Sequence, residues 1–300
     1  MFRLAHVTDP HFRPRAGTFA GAGVGDFLGK RAVGAVNLVV NRRRKHRMEL
    51  LEALRADLNA RAPDHVAVTG DLGNISIESE WLEARRWLTE LALPADAVTV
   101  IPGNHDAYVE DVVARRGFET MFEAYQTADL RVGQDHYPFV RVRGDLALIA
   151  VNTCVPTGDL GAWGEIGEAQ LARLEALLTS PALANKLRVV LLHHPPVMVK
   201  PPESRNLRDR EALAAVIGRA GASLILHGHD HRDERATLPG PRGAPVPIVG
   251  AGSASYAGAA ESRSRYNIYE IAGHGITAVT YVHDEAKDAF VEVRREPLSA

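Results

Sequence analysis

Residues 97–106 read Ala-Val-Thr-Val-Ile-Pro-Gly-Asn-His-Asp, a short apolar run followed by a cluster of polar residues. The β-branched residues of 97–101 predict a buried strand. The cluster that follows, Gly103-Asn104-His105-Asp106, then falls just beyond the end of that strand. In open α/β sheets, ligands bind outside the carboxyl ends of the strands. The stretch therefore predicts an α/β sheet with a ligand-binding edge.

The same arrangement of strand and polar cluster occurs at four other places in the chain. Asp9-Pro10-His11 follows residues 3–8, Gly70-Asp71 follows 65–69, His193-His194-Pro195-Pro196 follows 187–192, and Gly228-His229-Asp230-His231 follows 223–226. Side chains two residues apart point to the same side of an extended backbone. Glycines 70, 103 and 228 let the chain turn without a Cβ penalty. We expect all five clusters to meet on one rim.

The rest of the chain alternates between strand and helix patterns. Further strands are predicted at 139–143, 146–152, 246–249, 266–271 and 276–282, and amphipathic helices at 48–61, 78–91, 167–178 and 209–219. The early alternation predicts a largely parallel sheet, and the later strands predict a second sheet that contains antiparallel pairs. We expect one domain over residues 1–300, with the C-terminal strands 266–294 completing the second sheet or forming a homodimer contact.

Composition excludes several classes of protein. The chain has 300 residues, of which 46% are hydrophobic and 24% charged, as in ordinary globular proteins. The formal net charge of -2 argues against a nucleic-acid partner. The single cysteine, Cys154, excludes an internal disulfide and a cysteine-based zinc site. No run of about 18 apolar residues and no signal-peptide pattern occurs, so a cytoplasmic location is expected.

The donor atoms in the clusters suit divalent metal ions. Carboxylates, an amide oxygen and imidazoles, without thiolate, favour manganese, iron or zinc. Two such ions bring a charge of +4, and Asp9 and Asp71 return -2, so about +2 remains to attract anionic oxygens. A pair of ions that generates hydroxide and binds the entering and leaving oxygens is typical of phosphoryl hydrolysis.

The ordered motifs Asp-x-His, Gly-Asp, Gly-Asn-His-Asp, His-x-Pro and Gly-His-x-His resemble those of the calcineurin-like metallophosphoesterases. The resemblance extends from residue 9 to residue 231 and points to the bacterial small-molecule phosphodiesterase branch. It implies an α/β fold, a four-layer αββα sandwich of two mixed β-sheets flanked by helices, with a dinuclear metal site at the carboxyl edge of the strands.

The resemblance also implies a set of ligands for two divalent ions. The first ion would be held by Asp9, His11 and His231. The second would be held by Asn104, His193 and His229. Asp71 would bridge the two ions.

Further residues would have roles around these ligands. His105 would stabilise or protonate the leaving-group oxygen while a metal-bound hydroxide attacks phosphorus in line. His193 is preferred to His194 because the ligand comes first in the family's His-x-Pro pattern. Asp106 would orient a neighbouring histidine or cap the helix that follows.

The motifs favour a small-molecule phosphoester substrate. Asp71 is followed by Leu72-Gly73-Asn74, not by the Asp-Arg-Gly of phosphoprotein phosphatases. The Gly-Asn-His-Asp and His-His-Pro-Pro motifs resemble those of enzymes that cleave cyclic nucleotides or glycerophosphodiesters. We therefore expect a phosphodiesterase of that type.

The insertion at residues 12–47 keeps a second interpretation open. It is long enough to form a lid or an interfacial segment. Within 26–47 an apolar section precedes a run of basic residues, a composition that suits peripheral contact with the inner membrane surface. The alternative function is a pyrophosphohydrolase for a lipid-linked nucleotide such as UDP-diacylglucosamine, although those enzymes typically have Gly-Asn-Arg-Asp. A metal-free binding scaffold on the same fold is a third interpretation.

Overall fold

A computed structural model describes residues 1–14, 45–158, 161–197, 203–259 and 262–298. Its strands are β1 (Phe2–Val7), β2 (His65–Thr69), β3 (Val98–Ile101), β4 (Leu130–Arg131), β5 (Phe139–Arg143), β6 (Leu146–Ala150), β7 (Leu187–Leu191), β8 (Leu224–His227), β9 (Glu234–Pro239), β10 (Pro245–Gly250), β11 (Arg265–Ala272), β12 (Gly275–Asp284) and β13 (Ala289–Pro297). Its α-helices are α1 (Met48–Arg61), α2 (Glu78–Thr89), α3 (Glu110–Ala114), α4 (Gly117–Met121), α5 (Glu168–Leu178) and α6 (Arg210–Ala220). Short 3₁₀ helices cover Ala95–Ala97, Glu123–Tyr125, Pro181–Leu183, Glu203–Arg205 and Pro241–Gly243.

The first sheet has the strand order β13-β12-β11-β1-β2-β3. β1, β2 and β3 run parallel, and β11 pairs antiparallel with the other side of β1. The prediction that strands 266–294 complete the second sheet is therefore wrong for β11 to β13, whereas the dimer contact stays a prediction. The reason lies in β11, which is buried on both faces: Ile268 packs toward the helices and Tyr269 toward the other sheet.

The second sheet has the order β4-β5-β6-β7-β8-β10-β9. β6, β7, β8 and β10 form its parallel centre, and antiparallel strands complete both edges. β9 is not predicted from the sequence, because half of its residues are polar and only Leu238 is buried. β9 forms a hairpin with β10 across a turn at residues 240–244.

The two sheets pack face to face, with helices on their outer faces. β6 shows how alternate residues build these layers. Leu146 and Leu148 point into the core between the sheets, whereas Ala147 and Ile149 pack against α5 and α6. α1 and α2 cover the first sheet in the same way. Because both faces of the central strands are buried, their sequences are almost continuously apolar. The predicted four-layer αββα sandwich of two mixed sheets is confirmed.

Some histidines serve the fold rather than the site, and His65 provides a test of this. Its ring is buried in β2, at the opposite end from Asp71, and its Nε2 lies 2.8 Å from Thr99 Oγ1. Burial, with smaller contributions from Arg141 and Arg143, lowers the pKa of His65 to about 3. The unfolded chain takes up a proton near pH 6.5, but the folded chain does not. The contribution of the neutral ring to the free energy of unfolding is thus fully present above pH 6.5 and is lost as pH falls toward 3.

We expect wild-type protein to lose about 1.6 kcal/mol of unfolding free energy relative to His65→Gln between pH 6.5 and pH 5, since each pKa unit corresponds to about 1.4 kcal/mol and the unfolded ring is already half-protonated at pH 6.5. Urea denaturation at both pH values measures this difference. If the difference in unfolding free energy between wild type and His65→Gln is the same at both pH values, folded His65 accepts a proton.

Among the described residues, none of the helices is long and apolar enough to cross a membrane. Most of the insertion at 12–47, including the greater part of the expected membrane-surface segment 26–47, lies outside the described residues. The cytoplasmic location and the homodimer stay predictions.

Candidate metal centre

The five polar clusters lie at one edge of the sandwich. Three follow β1, β2 and β3 in the first sheet, and two follow β7 and β8 in the second. Parallel strands present their carboxyl ends on the same edge of a sheet. The two sheets thereby bring the loops together: the backbone amide of His229 donates to Oδ2 of Asp9 at 3.0 Å. The clusters meet as the sequence predicts.

The loops hold strained backbone conformations. Five of the seven predicted ligands have positive φ, namely Asp9 (50°), His11 (49°), Asp71 (54°), His229 (75°) and His231 (53°). A left-handed conformation costs a non-glycine residue roughly 1–2 kcal/mol. Neighbouring loops hold it in place, as where the amide of His11 donates to the carbonyl of Asp71 at 3.0 Å. Such strain is concentrated at functional sites in proteins.

Glycines allow the loops to approach one another closely. A Cβ on Gly103 would overlap the amide nitrogen and Oδ1 of Asp71 and lie 2.8 Å from its Cα. A Cβ on Gly228 would lie 2.6 Å from Oδ2 of Asp9. The predicted role in turning applies to Gly70, whose φ is 94°. Gly103 and Gly228 are required for a different reason, because neighbouring atoms leave no room for a Cβ.

One group of donor atoms combines Asp9, His11, Asp71 and His231, whose ligand atoms all lie within 4.8 Å of one another. Nε2 of His231 is 3.2 Å from Oδ1 of Asp9 and 3.1 Å from Nε2 of His11. Two ligands at right angles around one ion, each about 2.1 Å from it, are roughly 3 Å apart. These separations fit a shared ion.

A second group forms around the amide oxygen of Asn104. Its Oδ1 is 3.1 Å from Nε2 of His193 and 2.9 Å from Nδ1 of His229. All three side chains are less than a tenth exposed. Their separations also match those of neighbouring ligands on one ion.

Asp71 lies between the two groups. Its Oδ2 is 3.7 Å from Nε2 of His11, and its Oδ1 is 3.5 Å from Nε2 of His193. Oδ1 also accepts a hydrogen bond of 2.8 Å from the backbone amide of His105. The carboxylate thus presents one oxygen to each group.

Three histidine rings at the site are oriented by backbone carbonyls. Nδ1 of His11 is 3.1 Å from Gly73 O, Nδ1 of His193 is 2.7 Å from Thr69 O, and Nδ1 of His105 is 2.6 Å from Asn74 O. A carbonyl can only accept, so each Nδ1 carries the proton and each Nε2 is left for the centre. Metal-binding histidines in proteins are commonly oriented in this way.

The structure also shows that the adjacent histidines His193 and His194 face different groups. His193 faces Asn104 and Asp71, as described above. Nδ1 of His194 instead lies 2.8 Å from Oγ1 of Thr153, and its ring packs 4.6 Å from that of His229. His194 therefore contacts a ligand candidate without joining the donor group, which favours His193.

A family model confirms the relationship that these motifs suggest. The model for calcineurin-like phosphoesterases matches residues 2–233, which is more than half of the chain and includes every cluster described above. The chain belongs to the calcineurin-like phosphoesterase family.

Two curated relatives of this calcineurin-like phosphoesterase are named as cyclic nucleotide phosphodiesterases. A cAMP/cGMP dual specificity phosphodiesterase from Mycobacterium tuberculosis is 30% identical over 211 residues, covering 69% of this chain and 59% of that protein. A probable cyclic nucleotide phosphodiesterase from Synechococcus is 29% identical over 189 residues, covering 60% of this chain and 62% of that protein. The matched part of the chain thus spans about three fifths of each relative's length.

Solved structures show the same fold. A purple acid phosphatase from yellow lupin seeds has a TM-score of 0.62 at 13% identity, covering 99% of this chain and 53% of that one. A dimetal phosphatase from Danio rerio has a TM-score of 0.61 at 13% identity, covering 99% of this chain and 98% of that one.

The electrostatics of this calcineurin-like phosphoesterase favour bound cations. Burial lowers the pKa of His229 well below its usual value, so the ring is neutral and able to act as a ligand. Burial raises the pKa of Asp9, but the neighbouring His231 and His193 lower it by more. The pKa therefore lies below its usual value, and the carboxylate stays ionised. Oδ1 of Asp9 is buried and, although close to His231, has no aligned hydrogen bond among the described residues. The donor set thus fits divalent ions, and with family membership it indicates a dinuclear divalent metal site.

The structure corrects the expectation for Asp106. Its carboxylate neither orients a histidine nor caps a helix. It accepts hydrogen bonds of 2.9–3.0 Å from the backbone amides of Leu72, Gly73 and Gly103, and one of 3.1 Å from the indole of Trp81. Burial raises the pKa of Asp106, and these four donors oppose that shift. Asp106 therefore ties the loop of Asp71 to the loop of Asn104.

One residue at the site, His46, is not predicted from the sequence. In the sequence it is part of the basic run at the end of the insertion. In the structure His46 is buried, and its ring centroid lies 4.6 Å from that of His11. Nothing in the spacing of the motifs indicates this contact, because His46 belongs to none of them.

Proposed function

We propose that this chain is a dinuclear-metal phosphodiesterase that cleaves a small-molecule phosphodiester, of the cyclic nucleotide or glycerophosphodiester type. The observation that carries the proposal is the position of Asp71 between two donor groups, which are built from loops of both sheets and share the loop after β8. The names of the two curated relatives support a cyclic nucleotide as the substrate class.

The proposed ligand sets follow the two donor groups. Asp9, His11 and His231 would hold one ion, Asn104, His193 and His229 would hold the other, and Asp71 would contact both. Oxygen and imidazole donors favour manganese, iron or zinc. When bound, two divalent ions supply Lewis acidity toward phosphoryl oxygens and activation of water.

The balance between the charge of the ions and the charge of the protein ligands favours an anionic substrate. Two divalent ions carry +4, and the carboxylates of Asp9 and Asp71 supply -2, so the centre keeps an excess positive charge of about +2. The nearby carboxylate of Asp106 is directed at backbone amides rather than at the donor groups. A phosphodiester anion is therefore attracted to this edge of the sandwich.

His105 is the proposed acid–base residue. Its ring is half-buried, 5.3 Å from that of His11, and stacks on Tyr108 at an interplanar angle of 17°. Nδ1 donates to Asn74 O, so a proton destined for the leaving-group oxygen would be held on Nε2. Its backbone amide donates to Asp71, which ties the position of His105 to that of the bridging carboxylate.

The direct test is a substrate panel on metal-depleted and reconstituted protein. The panel contains bis(p-nitrophenyl) phosphate, cyclic nucleotides, a glycerophosphodiester, p-nitrophenyl phosphate and UDP-diacylglucosamine, each with manganese, zinc or iron. We expect no turnover without metal, full turnover with two equivalents, and faster cleavage of the diesters than of the monoester. A preference for the lipid-linked pyrophosphate would support the alternative function, and metal-independent ligand binding without turnover would support a scaffold.

Two variants separate binding from chemistry. Asn104→Ala removes a donor oxygen and is expected to lose one equivalent of metal. His105→Ala is expected to keep both equivalents and to lower kcat by about 10²–10⁴-fold, as for loss of a general acid. His136→Ala is the matched control, because His136 is a partly exposed histidine bonded to Gln126. Metal loss in His105→Ala would contradict its proposed role.

We further propose that one domain spans residues 1–300. The support is that β11, which lies beyond the family match, pairs with β1 of the same sheet.

A further inference from the structure

His46 lies beside the first donor group although it belongs to none of the family motifs. Its side chain is 3% exposed. The ligand atoms of His11, His46 and His231 all lie within 4.8 Å of one another, so the three imidazoles form a cluster that could hold an ion. His11 and His231 are shared between this cluster and the group that contains Asp9 and Asp71. His46 therefore extends an existing donor group and does not form a separate one.

The backbone fixes the position of His46. Arg47 N donates to Ser255 O at 2.9 Å, and Ala257 N donates to Lys45 O at 2.7 Å. These two bonds form an antiparallel bridge between His46 and Tyr256. The same loop, which follows β10, also contacts β1, since Ala254 N donates to Thr8 O at 2.9 Å. One loop thus positions His46 and the end of β1 that precedes Asp9.

Hydroxyl groups orient the imidazole ring. Nδ1 of His46 lies 2.8 Å from Oγ of Ser255. The amide of Ser255 donates to Oγ of Ser253, and that hydroxyl donates to the carbonyl of Asp9 at 2.7 Å. A chain of hydrogen bonds therefore runs from His46 to a residue of the first donor group. An outer partner on one ring nitrogen is the usual support of a metal-binding histidine.

The packing of the rings is consistent with a common ion. The ring of His46 meets that of His11 at 70° and that of His231 at 85°, with centroids 4.6 and 5.4 Å apart. Tyr256 also packs edge-on against His46, with ring centroids 5.6 Å apart. None of these rings stacks face to face on His46, and the ligand atoms of the three histidines lie within 4.8 Å of one another.

We propose that His46 is an additional ligand of the first metal ion, beside Asp9, His11 and His231. The inference rests on the proposed function, because it requires the two ions to be bound. It assigns a chemical role to a residue of the 12–47 insertion, which thereby contributes directly to the metal centre. A third imidazole adds no charge, so it strengthens binding of the ion while keeping the site positive toward an anionic substrate.

The test compares metal affinity, not turnover, in His46→Gln and a matched control. His65→Gln is that control, because His65 is equally buried and bonded to a threonine hydroxyl but lies at the far end of β2. Metal-depleted proteins are titrated with Zn²⁺ in competition with a chromophoric chelator. In His46→Gln we expect one of two ions to bind at least about tenfold more weakly. His65→Gln should match the wild type.

A second readout reports on the ligands themselves. With Co²⁺ in place of Zn²⁺, loss of a nitrogen ligand changes the visible absorption of one ion, and His46→Gln should show this change. If His46→Gln does not fold, Ser255→Ala replaces it, since it keeps the imidazole and removes its hydroxyl partner. A weaker first ion in Ser255→Ala supports the proposal, and unchanged affinity overturns it.

The possible failures can be told apart. Two ions bound with wild-type affinity and an unchanged cobalt spectrum in His46→Gln would overturn the inference and leave the proposed function intact. The same result together with a raised KM would assign His46 to the substrate instead. If the wild type binds no pair of ions, both proposals fail.

Discussion

Asp71→Asn is expected to abolish tight binding of both metal ions and to lower phosphodiesterase activity by at least about 10³-fold. Loss of one metal ligand usually affects one ion, but Asp71 presents an oxygen to each donor group. The amide also removes one of the two negative charges that offset a metal charge of +4. Removing a single group that stabilises charge in the transition state commonly lowers kcat by about 10²–10³-fold. Here the substitution affects two ions together, so we expect a larger loss.

Metal content by mass spectrometry, followed by activity under saturating metal, measures the effect of Asp71→Asn. Asp209→Asn is a suitable control, because the carboxylate of Asp209 accepts hydrogen bonds from the amides of Ile166 and Gly167, outside both donor groups. Retention of two tightly bound ions by Asp71→Asn would show that Asp71 does not bridge them.

Gly103→Ala is expected to have the second largest effect, through the backbone. The new methyl group would overlap the amide nitrogen of Asp71 and lie 2.8 Å from its Cα, so flexible side chains cannot relieve the contact. Overpacking of this kind costs about 1–3 kcal/mol and sometimes more. Because the displaced atoms belong to Asp71, we expect metal affinity to fall together with stability.

Denaturant unfolding of the metal-free protein measures the first effect of Gly103→Ala, and metal titration measures the second. Gly158→Ala is the matched control, since a Cβ at Gly158 meets no atom within 4 Å among the described residues. Its unfolding free energy should stay within about 0.5 kcal/mol of the wild type. Wild-type metal affinity in Gly103→Ala would mean that the loops adjust without moving the carboxylate.

The sequence predicted the central strands and the site because these follow from local patterns. β2 and β6 are buried on both faces, so their residues form short apolar runs that are easy to recognise. The polar clusters come directly after such runs. Asp9 and Asp71 follow adjacent parallel strands of one sheet, so their convergence follows from topology. His229 follows a strand of the other sheet and joins them through the packing of the two sheets.

Other features depend on tertiary contacts that no local pattern records. β9 is half polar and mostly not buried, so its strand character comes from pairing with β10. The sequence pattern of strands β11 to β13 is compatible with either sheet. In the structure β11 pairs with β1, and this pairing buries Tyr269 between the two sheets. Asp106 was expected to act on its own helix or on a histidine, but two of its four partners, Leu72 and Gly73, lie more than 30 residues away.

His46 was missed for the same reason. Its neighbours at the site are His11, 35 residues earlier, and His231 and Ser255, which lie about 200 residues further along the chain. The adjacent arginines give residues 42–47 the composition of a basic surface segment, and a single buried histidine within such a run has no signature of its own.

The pairing of β1 with β11 has a consequence for the order of events during synthesis. Phe2 lies opposite Ile271, and His6 lies opposite Asn267, so during synthesis β1 waits for a strand that follows it by more than 260 residues. The loop that precedes β11 also supplies the serine hydroxyls that reach Asp9 and His46. Pairings between such distant parts of a chain form slowly. The nascent polypeptide therefore acquires a complete cation-binding edge only after β11 and the loop before it have been translated.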